Sequence, residues 1–225
     1  NRPSVGILST GDELVEPGQI PGPGKIRNSN ASQLMAQARA AHADSYYLGI
    51  VPDQEESTRK AIGQAMENHD LVLLTGGVSM GDYDFVPRVM KECGIEIVFQ
   101  KVEIKPGRPT VYGRKANRHI FGLPGNPVSS FINFEVMVRP LLALLAGGRH
   151  EPLELLLPLA SQFKRKKADR PEWLPVAIVN NKLVKPVAYH GSAHIHALSH
   201  AQGLMFIPKN VYSLNQGDIV HVRPI

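Results

Sequence analysis

The sequence predicts an α/β domain, a mostly parallel sheet with helices on both faces, followed by a small all-β domain. Three observations carry that expectation. Short apolar runs alternate with stretches of helical periodicity as far as residue 148, the pattern of a parallel sheet with crossover helices. Beyond residue 150 short runs of strand character succeed one another with no convincing helix between them. The 225 residues suffice for one medium and one small domain. The expected division is a first domain over 1–148 and a small β-barrel-like domain over 151–225.

The elements follow in order. Ser4–Leu8 is a buried strand, and a loop rich in glycine and proline runs from Gly11 to Gly24. Asn28 or Ser29 caps an alanine-rich helix over Ala31–Ala43. Tyr46–Val51 is a strand ended by Pro52, and Gln54–Asn68 a helix with Ile62, Ala65 and Met66 on one face. Leu71–Leu74 is a strand, Phe85–Glu92 a helix and Glu96–Val102 a strand. Thr110–Tyr112 and His119–Leu123 pair around a basic turn, and Val128–Ala146 is a long apolar helix closed by Gly147 and Gly148. In the second domain the strands are Leu153–Leu159, Leu174–Val179, Lys182–Val187, Gly203–Ile207 and Asp218–Val222, with a tight turn at Asn180-Asn181.

Composition sets limits. The chain is 43% hydrophobic and 20% charged, which excludes wholesale disorder. A net charge of +5 suits a polyanionic small ligand, but no basic block interleaved with aromatics points to nucleic acid. Lys164-Arg165-Lys166-Lys167 reads as a solvated loop. Cys93, the single cysteine, is a filler at a helix end, and a reducing, cytoplasmic compartment is expected. No uninterrupted apolar run of about 18 residues suggests a membrane span. No P-loop, dinucleotide fingerprint or nucleophile elbow occurs. His194 and His196, alternating on a possible strand near His190 and His200, read as surface histidines rather than metal ligands.

The chemistry gathers at strand ends, where open α/β sheets bind ligands. Thr10-Gly11-Asp12-Glu13 follows the first strand and Asp53 the second. Thr75-Gly76-Gly77-Val78-Ser79-Met80-Gly81-Asp82-Tyr83-Asp84 follows the third, and Pro124-Gly125-Asn126-Pro127 a later one. Should these share one edge, five carboxylates converge: Asp12, Glu13, Asp53, Asp82 and Asp84. Backbone N–H groups of a glycine loop with a helix N-terminus behind favour an oxyanion, and carboxylates nearby call for Mg²⁺ between them and a phosphate. Lys101, Lys105 and Arg108 are candidates for compensating charge. Read more plainly, Asp53 and Asp82 cap the helices that follow them, and Lys105-Pro106-Gly107-Arg108-Pro109 is a surface turn.

Four strings also carry a resemblance. Leu8–Leu14, Thr75–Tyr83, Lys105–Pro109 and Gly122–Ser129 resemble, in order and spacing, the motif series of the bacterial molybdopterin molybdenumtransferases, the family that includes the gephyrin carboxyl-terminal domain. The resemblance implies a molybdopterin-binding α/β domain. The implied reaction transfers molybdenum from molybdate to adenylylated molybdopterin with release of AMP and with Mg²⁺ as the metal. It implies catalytic roles for Glu13, Asp53, Asp82, Lys101 and Lys105, the three acids being the metal ligands. Substrate contacts are implied at Thr10, Gly11, Asp12, Thr75, Gly76, Gly77, Ser79, Gly81, Arg108, Pro124, Gly125, Asn126 and Pro127, and at Ser192 by a weaker match. It further implies a homodimer, a molybdopterin adenylyltransferase partner, and amino-terminal domains ahead of the first strand here. Arg108 stands where many members have lysine, and Gln54 where a second aspartate is common. Alternative readings are a molybdopterin-binding module or scaffold without independent catalysis, and a molybdopterin adenylyltransferase.

Overall fold

A computed structural model describes residues 1–78, 85–180, 182–188 and 191–225. The chain forms two units, one of residues 1–102 and 109–150, the other of 103–108 and 151–225. The segment 103–108, which the sequence assigns to the first domain, therefore belongs with the second. Its backbone explains why: the Lys105 N–H donates to the Pro171 carbonyl at 2.9 Å, and the Trp173 N–H donates to the Lys105 carbonyl at 2.8 Å.

The first unit contains β1 (Ser4–Thr10), the short β2 (Leu14–Val15) and β3 (Ile26–Arg27), α1 (Ser29–Ala40), β4 (Asp44–Val51) and α2 (Glu55–Asn68). It continues with β5 (Leu71–Thr75), α3 (Val86–Glu92), β6 (Glu96–Phe99), β7 (Val111–Lys115) and β8 (Arg118–Leu123). Its sheet has the order β4-β1-β5-β8-β7-β6. Strands β4, β1, β5 and β8 are parallel, while β7 runs antiparallel to both its neighbours. Leu71, Val72, Leu73 and Leu74 in β5 are wholly buried, as a central parallel strand covered on both faces requires. One core cluster joins α2 and α3 to the sheet through Ile62, Met66, Val86 and Met90, and a second joins α1 and the last helix through Leu34, Ala38, Phe134 and Leu142.

The long helix expected after residue 127 has three parts: α4 (Pro127–Asn133), one π-helical turn (Phe134–Val138) and α5 (Arg139–Leu145). Pro140 has no N–H to donate and its ring crowds the carbonyl four residues back, so the hydrogen-bond ladder widens just ahead of it. This 19-residue stretch is long and apolar enough, by length and composition alone, to cross a membrane, although Glu135 and Arg139 interrupt its apolar run. Half of it is nonetheless buried. Inside, Gln37 Nε2 donates to Glu135 Oε1 at 2.7 Å and Arg139 closes a fork on the same carboxylate, which marks it as a core helix.

The second unit holds β9 (Leu155–Pro158), β10 (Phe163–Lys164), β11 (Glu172–Val179), β12 (Leu183–Pro186), α6 (His196–Ser199), β13 (Gly203–Ile207), β14 (Ser213–Leu214) and β15 (Ile219–Pro224). Five strands form an antiparallel sheet in the order β12-β11-β13-β15-β9, with β10 and β14 paired separately. A bridge between Leu159 and Val184 links its two edges, curling the sheet around Val176, Val184, Met205 and Val222. Two expectations fail here. His196 opens the helical turn α6, so His194 and His196 do not alternate along a strand. Nor is the run at 164–167 simply solvated. The Arg165 side chain is shielded from solvent, and its guanidinium donates to Glu172 Oε2 at 3.1 Å, to the Val211 carbonyl at 2.7 Å and to the Pro208 carbonyl. Asn180 takes a left-handed φ of 52°; Asn181 and His190 lie outside the described residues.

Arg165 and Glu172 form a buried ion pair, and losing the guanidinium leaves Glu172 with Lys105 alone and strips the donor from the Val211 and Pro208 carbonyls. Arg165→Met is expected to destabilise the chain by about 3 kcal/mol, measured by urea unfolding, and Arg165→Met with Glu172→Leu to recover only part of that loss, because the carbonyls stay without their donor.

Candidate functional site

Register places the four parallel strand ends on one line. Thr10 of β1 pairs with Val51 of β4, Ser9 of β1 with Thr75 of β5, and Thr75 with Leu123 of β8. The chain leaves β1 toward β4 and leaves β5 toward the opposite side of the sheet. The crevice between the carboxyl ends of β1 and β5 is therefore a topological switch point, the place where this architecture binds ligands.

A cavity of about 890 Å³ opens there. It is lined by Thr10 at the end of β1 with Asp12 and Glu13 beyond it, by Asp53 after β4, by Thr75, Gly76 and Gly77 at the end of β5, and by Pro124, Gly125 and Asn126 after β8. Ten of the residues expected at the site are thus brought together by the sheet. Gly11 sits between two of them but does not line the space; Pro127 begins α4, and its carbonyl accepts from Gln33 Nε2 at 3.1 Å.

Gly76 is the tightest point. Its φ is 93°, and a Cβ there would collide with the carbonyl oxygen of Thr10. Its N–H donates to the Leu123 carbonyl at 3.2 Å, so one glycine ties the ends of β5 and β8 together and closes onto β1. Beneath the floor a buried polar network fixes the loops. Thr75 Oγ1 meets Ser9 Oγ at 3.2 Å, and Asn28 Nδ2 donates to Ser9 Oγ at 3.1 Å and to the Tyr47 hydroxyl at 3.0 Å. Asn28 Oδ1 also caps α1 by accepting from the Ala31 N–H at 3.3 Å, as its position predicts. Burial and the Glu16 carboxylate, which accepts from its hydroxyl, push the Tyr47 pKa up to about 12, so it remains a donor.

Asp53 does not cap α2. Gln54 is the N-cap residue, with no side-chain cap bond, and the Asp53 N–H instead donates to Asp12 Oδ1 at 3.1 Å. Burial of its inner edge raises the Asp53 pKa above 3.8, with the Asp12 and Glu13 carboxylates pushing the same way, against hydrogen bonds from the Asp12 backbone and Thr10. Among the described residues no three His, Cys, Asp or Glu side chains come together closely enough to hold a metal ion by themselves. Ser79, Gly81, Asp82 and Asp84 lie outside the described residues.

Lys101 does not line the cavity. Lys105, Arg108 and Ser192 belong to the second unit. The Lys105 ammonium pairs with buried Glu172 at 2.9 Å, and Arg108 with exposed Glu103 at 3.4 Å. Sequence reasoning missed Asn30, Glu55, Phe85, Arg88 and Pro109, all of which line the cavity. Asn30, in the first turn of α1, donates to the Gly125 carbonyl at 2.7 Å and so anchors the loop after β8. Arg88 lies on the side of α3 away from buried Val86, Val89 and Met90, and it pairs with Glu55 of α2. Helical spacing shows that Arg88 leaves the core; only the fold shows that it faces the switch point.

Known proteins place this arrangement. Residues 6–144 match a family described as a probable molybdopterin binding domain, and residues 157–225 match the MoeA C-terminal region, domain IV. A molybdopterin molybdenumtransferase of Bacillus subtilis is 33% identical over 232 residues, covering 98% of this chain and 52% of that protein. One from Haemophilus influenzae is 42% identical over 145 residues, covering 64% of this chain and 36% of its own length. The crystal structure of a molybdopterin biosynthesis MoeA protein from Pyrococcus horikosii superposes with a TM-score of 0.87 at 30% identity, over 99% of this chain and 54% of that one. The chain thus spans about half the length of the full-length relatives it matches. With the α/β family model matching residues 6–144, more than half of the chain, the chain belongs to the probable molybdopterin binding domain family, and its second unit matches the MoeA C-terminal region.

Proposed function

We propose that the switch-point cavity holds adenylylated molybdopterin and that the chain takes part in moving molybdenum from molybdate onto the pterin's dithiolene sulfurs, with release of AMP. The observation that carries this reading is the convergence of the acids and the Gly76-Gly77 backbone on one cavity at the β1–β5 divide. A phosphate-bearing ligand needs close approach to backbone N–H groups, which glycine allows, and positioning with charge neutralisation rather than a protein nucleophile. The cavity volume suits a ligand of nucleotide size.

The acids present fit Mg²⁺. That ion is usually held by one or two carboxylates, with phosphate oxygens and waters completing its shell. Asp53, its charge disfavoured by burial and by the nearby carboxylates, is the leading ligand, with Glu13 and, after β5, Asp82 as the others. Bound there, Mg²⁺ would neutralise charge on the phosphate that departs with AMP. The chain's own contribution is to orient the phosphate over the Gly76-Gly77 backbone and to shape the pocket wall with Pro124, Gly125 and Asn126, held by Asn30. Lys101, Lys105, Arg108 and Ser192 are proposed as further anion contacts. A homodimer, a molybdopterin adenylyltransferase partner and a cytoplasmic site of action belong to the same proposal.

Protonation gives one test. A raised Asp53 pKa means the group favours the folded state only below 3.8 and loses that contribution as pH rises through its folded value. At pH 7 its charge is therefore a cost in the unliganded protein. Asp53→Asn is expected to leave Tm at pH 7 unchanged or raised while weakening Mg²⁺ binding about tenfold or more. In the parent protein Mg²⁺ binding should fade with acid at a pH above that of an ordinary aspartate. Calorimetric titration and a melting curve check both, and a lowered Tm with unchanged Mg²⁺ affinity would contradict the assignment.

Catalysis gives the second. Glu13→Ala and Asp82→Ala, made separately, are expected to keep the far-UV dichroism of the parent and lose most molybdate-dependent AMP release. Full activity in both would reject the reaction, and binding of the adenylylated pterin without release by the parent would leave a ligand-holding module.

A further inference from the structure

Without a cation the charge of the cavity opposes its proposed ligand. Among its described lining residues four are acids, Asp12, Glu13, Asp53 and Glu55, and one is a base, Arg88. An entering phosphate meets like charge on most sides, in a setting where such repulsion is only partly screened. Lys101 does not line the space, and within the second unit Lys105 and Arg108 already face Glu172 and Glu103.

We propose that Arg88 is the side chain that clamps the phosphate of a nucleotide-bearing ligand in this cavity, and that Glu55 holds it in waiting until the anion arrives. This rests on the reading that the cavity takes adenylylated molybdopterin. Glu55 lies in the first turn of α2, where the helix dipole favours a carboxylate, and Arg88 reaches it from α3. The side chains are 60% exposed for Arg88 and 48% for Glu55, so the pair stands in water and is weak. A phosphate offers the guanidinium two parallel charge-assisted bonds and outcompetes the solvated carboxylate. Packing between α2 and α3 does not depend on the pair. Ile62 and Met66 share a buried cluster with Val86, Val89 and Met90, and Arg59 pairs with Glu92 at 3.3 Å between the same helices. The pair is therefore free to exchange without loosening the fold.

Two variants destroy the same ion pair but leave opposite charges behind. Arg88→Ala should weaken binding of adenylylated molybdopterin, and of AMP as a simpler probe, about tenfold or more. Glu55→Gln should tighten both about two- to threefold, and that gain should vanish in the Arg88→Ala background. Arg88→Lys, a point charge without the fork, should fall between Arg88→Ala and the parent. If the pair merely ties α2 to α3, Arg88→Ala and Glu55→Gln lower Tm together and leave affinity alike, which would overturn the inference. Parent protein that binds adenylylated molybdopterin while Arg88→Ala binds it equally well removes the Arg88 role alone. Parent protein that binds neither probe removes the cavity reading and this inference with it.

Discussion

The close approach of Gly76 to the carbonyl of Thr10 is the constraint on which the site depends. It allows the ends of β1 and β5 to lie together at the divide of the sheet, with β8 drawn in by the Gly76 N–H. Without a side chain at that point the ends of three neighbouring strands lie together, and their loops face one space. Every other feature of the cavity is arranged around this contact. The buried Ser9–Asn28–Thr75 network fixes the loops from below, and Asn30 draws the Pro124–Asn126 loop in from the far side. The acids then sit where backbone geometry puts them, at the cost of desolvation and, after it, mutual repulsion at Asp53. A site that carries unbalanced charge when empty is poised for a cation or for a ligand that brings one.

Much of this was readable in the sequence, and for identifiable reasons. The buried strands of the first unit are short apolar runs, and Ile62, Ala65 and Met66 at helical spacing mark α2 because both periods follow from backbone geometry. Convergence of the strand-end motifs followed from the parallel topology alone, since parallel strands end at one edge. The short ribbons β2–β3 and β10–β14 were not visible, because two residues per strand leave no period to detect. The π-helical turn before Pro140 reads as ordinary helix until the missing N–H is followed through the ladder.

Charge was the least legible property. Lys164-Arg165-Lys166-Lys167 looks uniform as a string, yet Arg165 turns inward to a buried carboxylate while its neighbours stay in water. Lys105 looks like a candidate anion contact, yet it too bears on Glu172, within a unit that takes residues 103–108 out of sequence order. Arg88 belongs to no glycine-rich string and was passed over, although it is the basic side chain that lines the cavity among the described residues. A sequence shows how many charges a segment has; which of them meet is decided by contacts between residues distant in the chain.

The central claim is that the ends of β1, β5 and β8 act together as one ligand site. Amide hydrogen exchange of the chain, with and without adenylylated molybdopterin and Mg²⁺, tests it most directly. The account predicts that slowed exchange appears together at residues 10–13, 75–78 and 124–126, rising along one binding curve. Protection confined to one of these loops, or found only elsewhere in the chain, would contradict it.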